Sequence, residues 1–109
     1  MKKAWLAAGC LGVLLGVGMP MSGAAADAKK GKAVFDENCS MCHESASTEV
    51  KVGPGLKGLF KKEKLKNGKK PSDAVVLAII NAGGGGMPAY GDQLSDEEKA
   101  NVLAYLRTL

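Results

Sequence analysis

The chain is 109 residues long, carries 15 Lys and Arg against 11 Asp and Glu for a formal net charge of +4, and contains one His and three Cys. That length suits a single domain, and no internal repeat or low-complexity linker argues for a second. A basic balance without an Arg cluster, and with 5% aromatic residues, lacks the footprint of nucleic-acid binding, while a lone histidine excludes a zinc cluster built on several imidazoles.

Met1-Lys2-Lys3 is a small positive cap on an apolar run from Ala4 to Met21, closed by Ser22-Gly23-Ala24-Ala25-Ala26. This is the order of a secretory signal with an A-x-A cleavage site, so residues 1–26 are expected to be removed and the mature chain to begin at Asp27. An uncleaved membrane anchor is the competing reading, because the run approaches the length that spans a bilayer. Its glycines and the helix-breaking Pro20 before small residues favour removal. Cys10 lies too early in the run for a lipoprotein cleavage box. Loss of Lys2 and Lys3 lowers the formal charge from +4 to +2, and the 83 residues of 27–109 are few for an independent apolar core.

Asp27 is a plausible N-cap, and Ala28, Gly31, Val34, Phe35 and Cys39 recur at helical spacing, which predicts a helix over Ala28 to Asn38. Gly31 costs about 1 kcal/mol relative to Ala in a helix interior, so it invites a packing reason: close approach of another helix's backbone.

The helix delivers its last turn to Cys39-Ser40-Met41-Cys42-His43. In an exported protein the C-x-x-C-H pattern is the attachment signature of covalent c-type haem, with two thiols adding to the vinyl groups and the adjacent imidazole ligating iron. Cys39 and Cys42 are the cysteines that survive cleavage, and their spacing closes too small a loop to staple a fold. A ligand explains them better than a structural disulfide, and a buried haem would supply the missing core.

Glu44 to Lys51 is polar and reads as loop. In Val52-Gly53-Pro54-Gly55-Leu56-Lys57-Gly58-Leu59-Phe60, three glycines and a proline set a turn between apolar anchors. A ligand histidine usually donates its second N–H to a carbonyl, and Pro54 is the candidate acceptor for His43; an ordinary surface turn is the alternative. Lys57, Lys61, Lys62, Lys64, Lys66, Lys69 and Lys70 then crowd one stretch, with Asn67-Gly68 marking a turn and Leu65 an anchor. The stretch reads either as a solvated loop or as a docking face for an acidic redox partner.

Ser72 caps the next expected helix, with Asp73 in its first turn, and Val75 to Ile80 is apolar all round. The cap, and the lack of a second strand to pair with, favour a buried helix over a strand. Gly83 to Gly86 end it and leave Met87-Pro88 free to approach something closely. Met41 sits inside the cysteine loop, so Met87 is the mature sulfur available as a sixth iron ligand. Ser95 and Glu98 form a capping box for a last helix from Asp96 to about Thr108, with Val102, Leu103, Leu106 and Leu109 in one stripe and Tyr105 beside it.

Gly31-x-x-x-Phe35-x-x-x-Cys39, Cys39 to His43, Gly53-Pro54-Gly55-Leu56, Met87-Pro88 and Val102-Leu103-Ala104-Tyr105-Leu106 together resemble the small bacterial, periplasmic class I (monohaem) cytochromes c over nearly the whole mature region, 27–109. The resemblance implies an all-α fold of three to five short helices wrapped around one covalently bound haem c. It also implies first and last helices crossed at Gly31, Phe35, Val102 and Tyr105, and a Pro54 hydrogen bond to His43. No tryptophan lies beyond Trp5, so the indole that mitochondrial members place near a propionate is missing here.

Cys39 and Cys42 are thus expected to hold haem, with His43 and Met87 as axial iron ligands and Phe35, Leu56, Leu59, Ile79 and Tyr90 as an apolar shell. The function expected is electron transfer, not catalysis: a monomeric periplasmic one-electron carrier between acidic reductase and oxidase partners, docking through Lys57 to Lys70. No nucleic acid is expected to bind, and no stable membrane insertion once the signal is cleaved. A haem sensor or peroxidase-like protein with accessible iron is one alternative, and a C-x-x-C thiol-disulfide oxidoreductase is another.

Overall fold

The computed structural model describes residues 26–109. All of the expected signal segment but Ala26, including Pro20 and Cys10, lies outside the described residues. Three helices, α1 (Ala28–Asn38), α2 (Asp73–Ala82) and α3 (Asp96–Arg107), and a single 3-10 turn at Leu59–Lys61 make up the regular structure, with no β-strand among the described residues.

Each helix starts where its cap chemistry places it. The Asp27 carboxylate accepts from the Lys29 and Lys30 backbone N–H groups at 2.8 and 3.3 Å. The Ser72 hydroxyl accepts from Val75 at 3.1 Å, and at α3 the Ser95 hydroxyl accepts from the Glu98 N–H while the Glu98 carboxylate accepts from the Ser95 N–H, both at 3.1 Å. Each cap satisfies donors that a helix start leaves without partners.

The main helix–helix interface is between α1 and α3. Gly31 is buried at its centre, and a Cβ there would collide with the Asn101 carbonyl and lie 2.9 Å from Tyr105 Cβ. The glycine therefore lets two backbones meet, as its cost within a helix suggested. Beside this contact the Phe35 and Tyr105 rings pack with centroids 5.4 Å apart and planes tilted by 55°, a favourable aromatic arrangement. Phe35 and Val102 are the most deeply buried large side chains, at 2% and 1% exposure.

Three features add to or differ from the expectation. Asn101 is buried and occupies the face assigned to an apolar stripe, where its Oδ1 accepts from the Asp27 backbone N–H at 2.8 Å. A polar group on that face is tolerated because it is hydrogen-bonded, and it ties the start of α1 to α3. In α2 only Val76 and Ile80 are fully buried, one turn apart, while Leu77 and Ile79 are half-buried. A single face of α2 packs on the core, so continuous hydrophobicity overstated its burial. Leu59–Lys61 forms a 3-10 turn after Gly58, whose φ of 69° is a left-handed value that glycine adopts without strain.

Arg107 at the end of α3 reaches Asp73 at the start of α2 at 2.6 Å and stacks over Phe60, 4.7 Å from the ring centroid. The pair joins α2, α3 and the 3-10 turn at the surface, and it raises the Arg107 pKa mainly through the hydrogen bond to Asp73. The lysine stretch is a loop whose Leu65 packs on the core. Its turn at Asn67-Gly68 is held by the Leu65 N–H to Lys69 O bond at 2.8 Å and the Lys69 N–H to Asn67 Oδ1 bond at 2.9 Å.

Candidate functional site

The end of α1 carries the cysteine motif. The Cys39 N–H donates to Phe35 O at 2.7 Å, and the backbone then coils once more, with the Cys42 and His43 N–H groups donating to Cys39 O at 3.1 and 3.0 Å. This extra turn puts both half-buried thiols and the imidazole on one short segment, and the thiols are not joined as a disulfide.

Residues 53–56 are laced against this segment. The Gly53 N–H donates to Cys42 O and the Leu56 N–H to Glu44 O, both at 2.7 Å. The pairing brings Pro54 O to 2.8 Å from His43 Nδ1. A carbonyl can only accept, so Nδ1 carries the proton and Nε2 is left as the ring's lone-pair nitrogen. Gly53 makes room for the ring, since a Cβ there would meet His43 Cε1 at 2.5 Å and Nδ1 at 2.9 Å. Replacing Gly53 with Ala is expected to push the imidazole off the Pro54 carbonyl. Ring-proton NMR shifts of His43 and a changed reduction potential would register it, and unaltered values for both would refute the crowding.

Met87 comes from a separate loop. Gly83, Gly84, Gly85 and Gly86 have φ of 65°, 125°, 60° and 93°, a run that L side chains resist. The Gly84 and Met87 backbones exchange two hydrogen bonds of 3.0 Å, closing a two-residue turn over Gly85-Gly86, whose positive φ values are those of tight hairpin turns. Met87 is half-buried against the core. Beyond it the loop is fastened at four points. The Tyr90 N–H donates to Ile80 O at 2.8 Å and the Gly91 N–H to Asn81 O at 3.2 Å, Lys99 Nζ donates to Gly91 O at 2.7 Å, and the Tyr90 hydroxyl donates to Asn38 O at 2.9 Å.

The last of these bonds sets the Met87 loop against the residue preceding Cys39. Tyr90's phenol is accordingly raised above its usual pKa, first by burial and then by the Cys39 and Cys42 thiols. Cys39's thiol is pushed up to about 11, by burial first and by Cys42 second. A redox-active C-x-x-C pair needs the reverse, a thiol pKa lowered toward neutrality.

Cys39, Cys42, His43 and Pro54 are therefore brought together directly, while Met87 sits on a separate loop whose Tyr90 reaches the residue before Cys39. The sequence reading missed the Tyr90 hydroxyl bond, the Lys99 strut and Asn101. Tyr90's placement three residues after Met87 was the visible hint, but its partner is 52 positions away.

These residues fit covalent haem. Two unpaired thiols follow a helix end, the histidine is held by Nδ1 with Nε2 uncommitted, and Cys39, Met87 and Tyr90 are among the partly buried side chains packed against the core. An all-α frame with such a turn defines a c-type cytochrome.

The protein belongs to the monohaem class I cytochrome c family. Residues 26–106 match the family model described as "Cytochrome C oxidase, cbb3-type, subunit III". It is 40% identical over 85 residues to cytochrome c6 of Picosynechococcus, covering 75% of this chain and 73% of that protein. Against cytochrome c6 of Leptolyngbya boryana it is 38% identical over 81 residues, covering 74% and 91%. It also superposes on the crystal structure of cytochrome c6 from the diatom Phaeodactylum tricornutum with a TM-score of 0.60, at 32% identity over 76% of this chain and 93% of that one. The family carries covalently bound haem c with its iron.

Proposed function

We propose that this protein is a one-electron carrier in which Cys39 and Cys42 hold haem c, His43 and Met87 are the axial iron ligands, and Pro54 orients His43. When bound, haem supplies a one-electron iron couple that a histidine and thioether set shifts toward the ferrous state. The protein's own contribution is positional. Pro54 O fixes the His43 tautomer, and Gly53 admits the ring. Phe35, Leu56 and Leu59 are buried, with Ile79 and Tyr90 half-buried, which limits water near the ligands.

The hydrogen bond from His43 to Pro54 is the observation that carries this reading, because an orienting carbonyl on the second ring nitrogen is what a metal-ligating imidazole requires. Absorption spectra of the purified protein in both redox states test it. A low-spin c-type spectrum with a sulfur-to-iron band in the oxidised form is expected, and a high-spin or carbon monoxide-reactive native form would favour an accessible-iron protein instead.

The N-terminal sequence supports export, removal of residues 1–26 and work in the periplasm. Among the described residues no helix is long and apolar enough to cross a membrane. For docking, Lys57, Lys61, Lys64, Lys66, Lys69 and Lys70 are exposed, and none is ion-paired among the described residues. They suit an acidic reductase or oxidase surface, met by a monomer in brief encounters. Reversing Lys64 and Lys66 to Glu is expected to slow second-order electron transfer with an acidic partner several-fold at low salt and to flatten its ionic-strength dependence. Rates indifferent to both charge and salt would remove this face.

A further inference from the structure

The Met87 loop makes one side-chain bond to the helix that leads into the cysteines: the Tyr90 hydroxyl donates to Asn38 O at 2.9 Å, across 52 residues of sequence. The acceptor is a carbonyl in the last turn of α1, one residue before Cys39. On its other side Asn38 is fixed as well, its Nδ2 donating to Val34 O at 2.9 Å. The Tyr90 N–H is bonded to Ile80 O of α2, so this one residue ties the loop to two helices. Lys99 holds Gly91 from α3, but Lys99 makes no bond toward the cysteine segment.

We infer that Tyr90 is a positioning residue for Met87, its hydroxyl clamping the methionine loop to the end of α1 and so governing how readily Met87 leaves its place. Four consecutive glycines precede Met87, and glycine gives the loop more conformational freedom to lose on closing than any other residue. Gly84 and Met87 bond to each other, which shapes the turn without tying it to the cysteine side. The clamp must come from beyond Met87, and Tyr90 supplies it.

The inference rests on Met87 being the sixth ligand. The test is an imidazole titration of the oxidised holoprotein, in which added imidazole takes the iron only when Met87 has let go. Removing one net hydrogen bond raises the released fraction about fivefold, so Tyr90→Phe is expected to bind imidazole about fivefold more tightly than wild type, with the ring's packing retained. Tyr90→Leu, which loses the ring as well, is expected to bind at least as tightly as Tyr90→Phe. Denaturant unfolding of each variant without imidazole separates this local release from global loss of stability.

An unchanged imidazole affinity in Tyr90→Phe, or an increase confined to Tyr90→Leu, overturns the role of the hydroxyl. The ligand reading fails separately: a wild-type oxidised spectrum without a sulfur-to-iron band removes Met87 whatever the Tyr90 variants do.

Discussion

Met87→Ala is expected to convert a six-coordinate low-spin iron into one with an open position. The ferrous variant should bind carbon monoxide, which the wild type should not, and its potential should fall by on the order of 100 mV, since each tenfold loss of preference for the ferrous state is worth about 59 mV for one electron. The physical reason is the donor set. Met41, the other methionine among the described residues, is exposed within the cysteine turn, and His43 is the protein's single histidine. Among the described residues no second imidazole or buried thioether stands ready to replace Met87. An Ala variant that keeps a low-spin spectrum and refuses carbon monoxide would falsify Met87 as the ligand. The same result would return attention to the lysines, whose amines are the remaining nitrogen donors of the loops.

Gly31→Ala should weaken the fold where α1 and α3 meet. The added methyl has no rotamer by which to escape, and what it meets is the Asn101 backbone carbonyl rather than the end of a flexible side chain. Overpacking of this kind costs about 3 kcal/mol, from which a helix-propensity gain of about 1 kcal/mol is subtracted. The net loss, about 2 kcal/mol, corresponds to a fall in Tm on the order of 10 °C for a domain of this size. Guanidinium unfolding of the holoprotein measures it, and a variant as stable as wild type would mean that the two helices do not touch at Gly31. Gly31→Val, with a branched side chain at the same contact, should lose more than Gly31→Ala. Because the frame holds both Cys39 and Asn38, partial loss of this contact should also loosen the Met87 loop.

Most of the frame was legible because its signals are local. Asp27, Ser72 and Ser95 sit where helix starts need an acceptor, and all three helices begin beside them. The cysteine turn, the glycine run and the Asn67-Gly68 turn are likewise short-range features, each fixed by bonds within a few residues. Gly31 was readable through its cost, since a residue that weakens its own helix implies a partner that needs the space.

What stayed hidden depends on residues distant in sequence. Asn101 carries no signal of burial in the sequence, and only the approach of α1 makes its side chain the acceptor for Asp27. The continuous apolar run of α2 carries no periodicity, so which face is buried was decided by the neighbours it meets, leaving Val76 and Ile80 inside and Leu77 and Ile79 half covered. Arg107 reaches Asp73 and Phe60 across three elements.

Residue identity and spacing set the chemistry: two thiols and an imidazole in five consecutive residues, one methionine behind a glycine run, and caps that start three helices. Those follow from covalent spacing and backbone preference, which act over a few residues. How the parts are held to one another is a property of the folded chain: it settles Pro54 as the partner of His43 over an ordinary turn, and it adds Asn101 on Asp27 and Tyr90 on Asn38, which no residue pattern announced. Such bonds depend on where separate segments come to lie once the apolar faces are buried, and no single stretch of sequence encodes that placement.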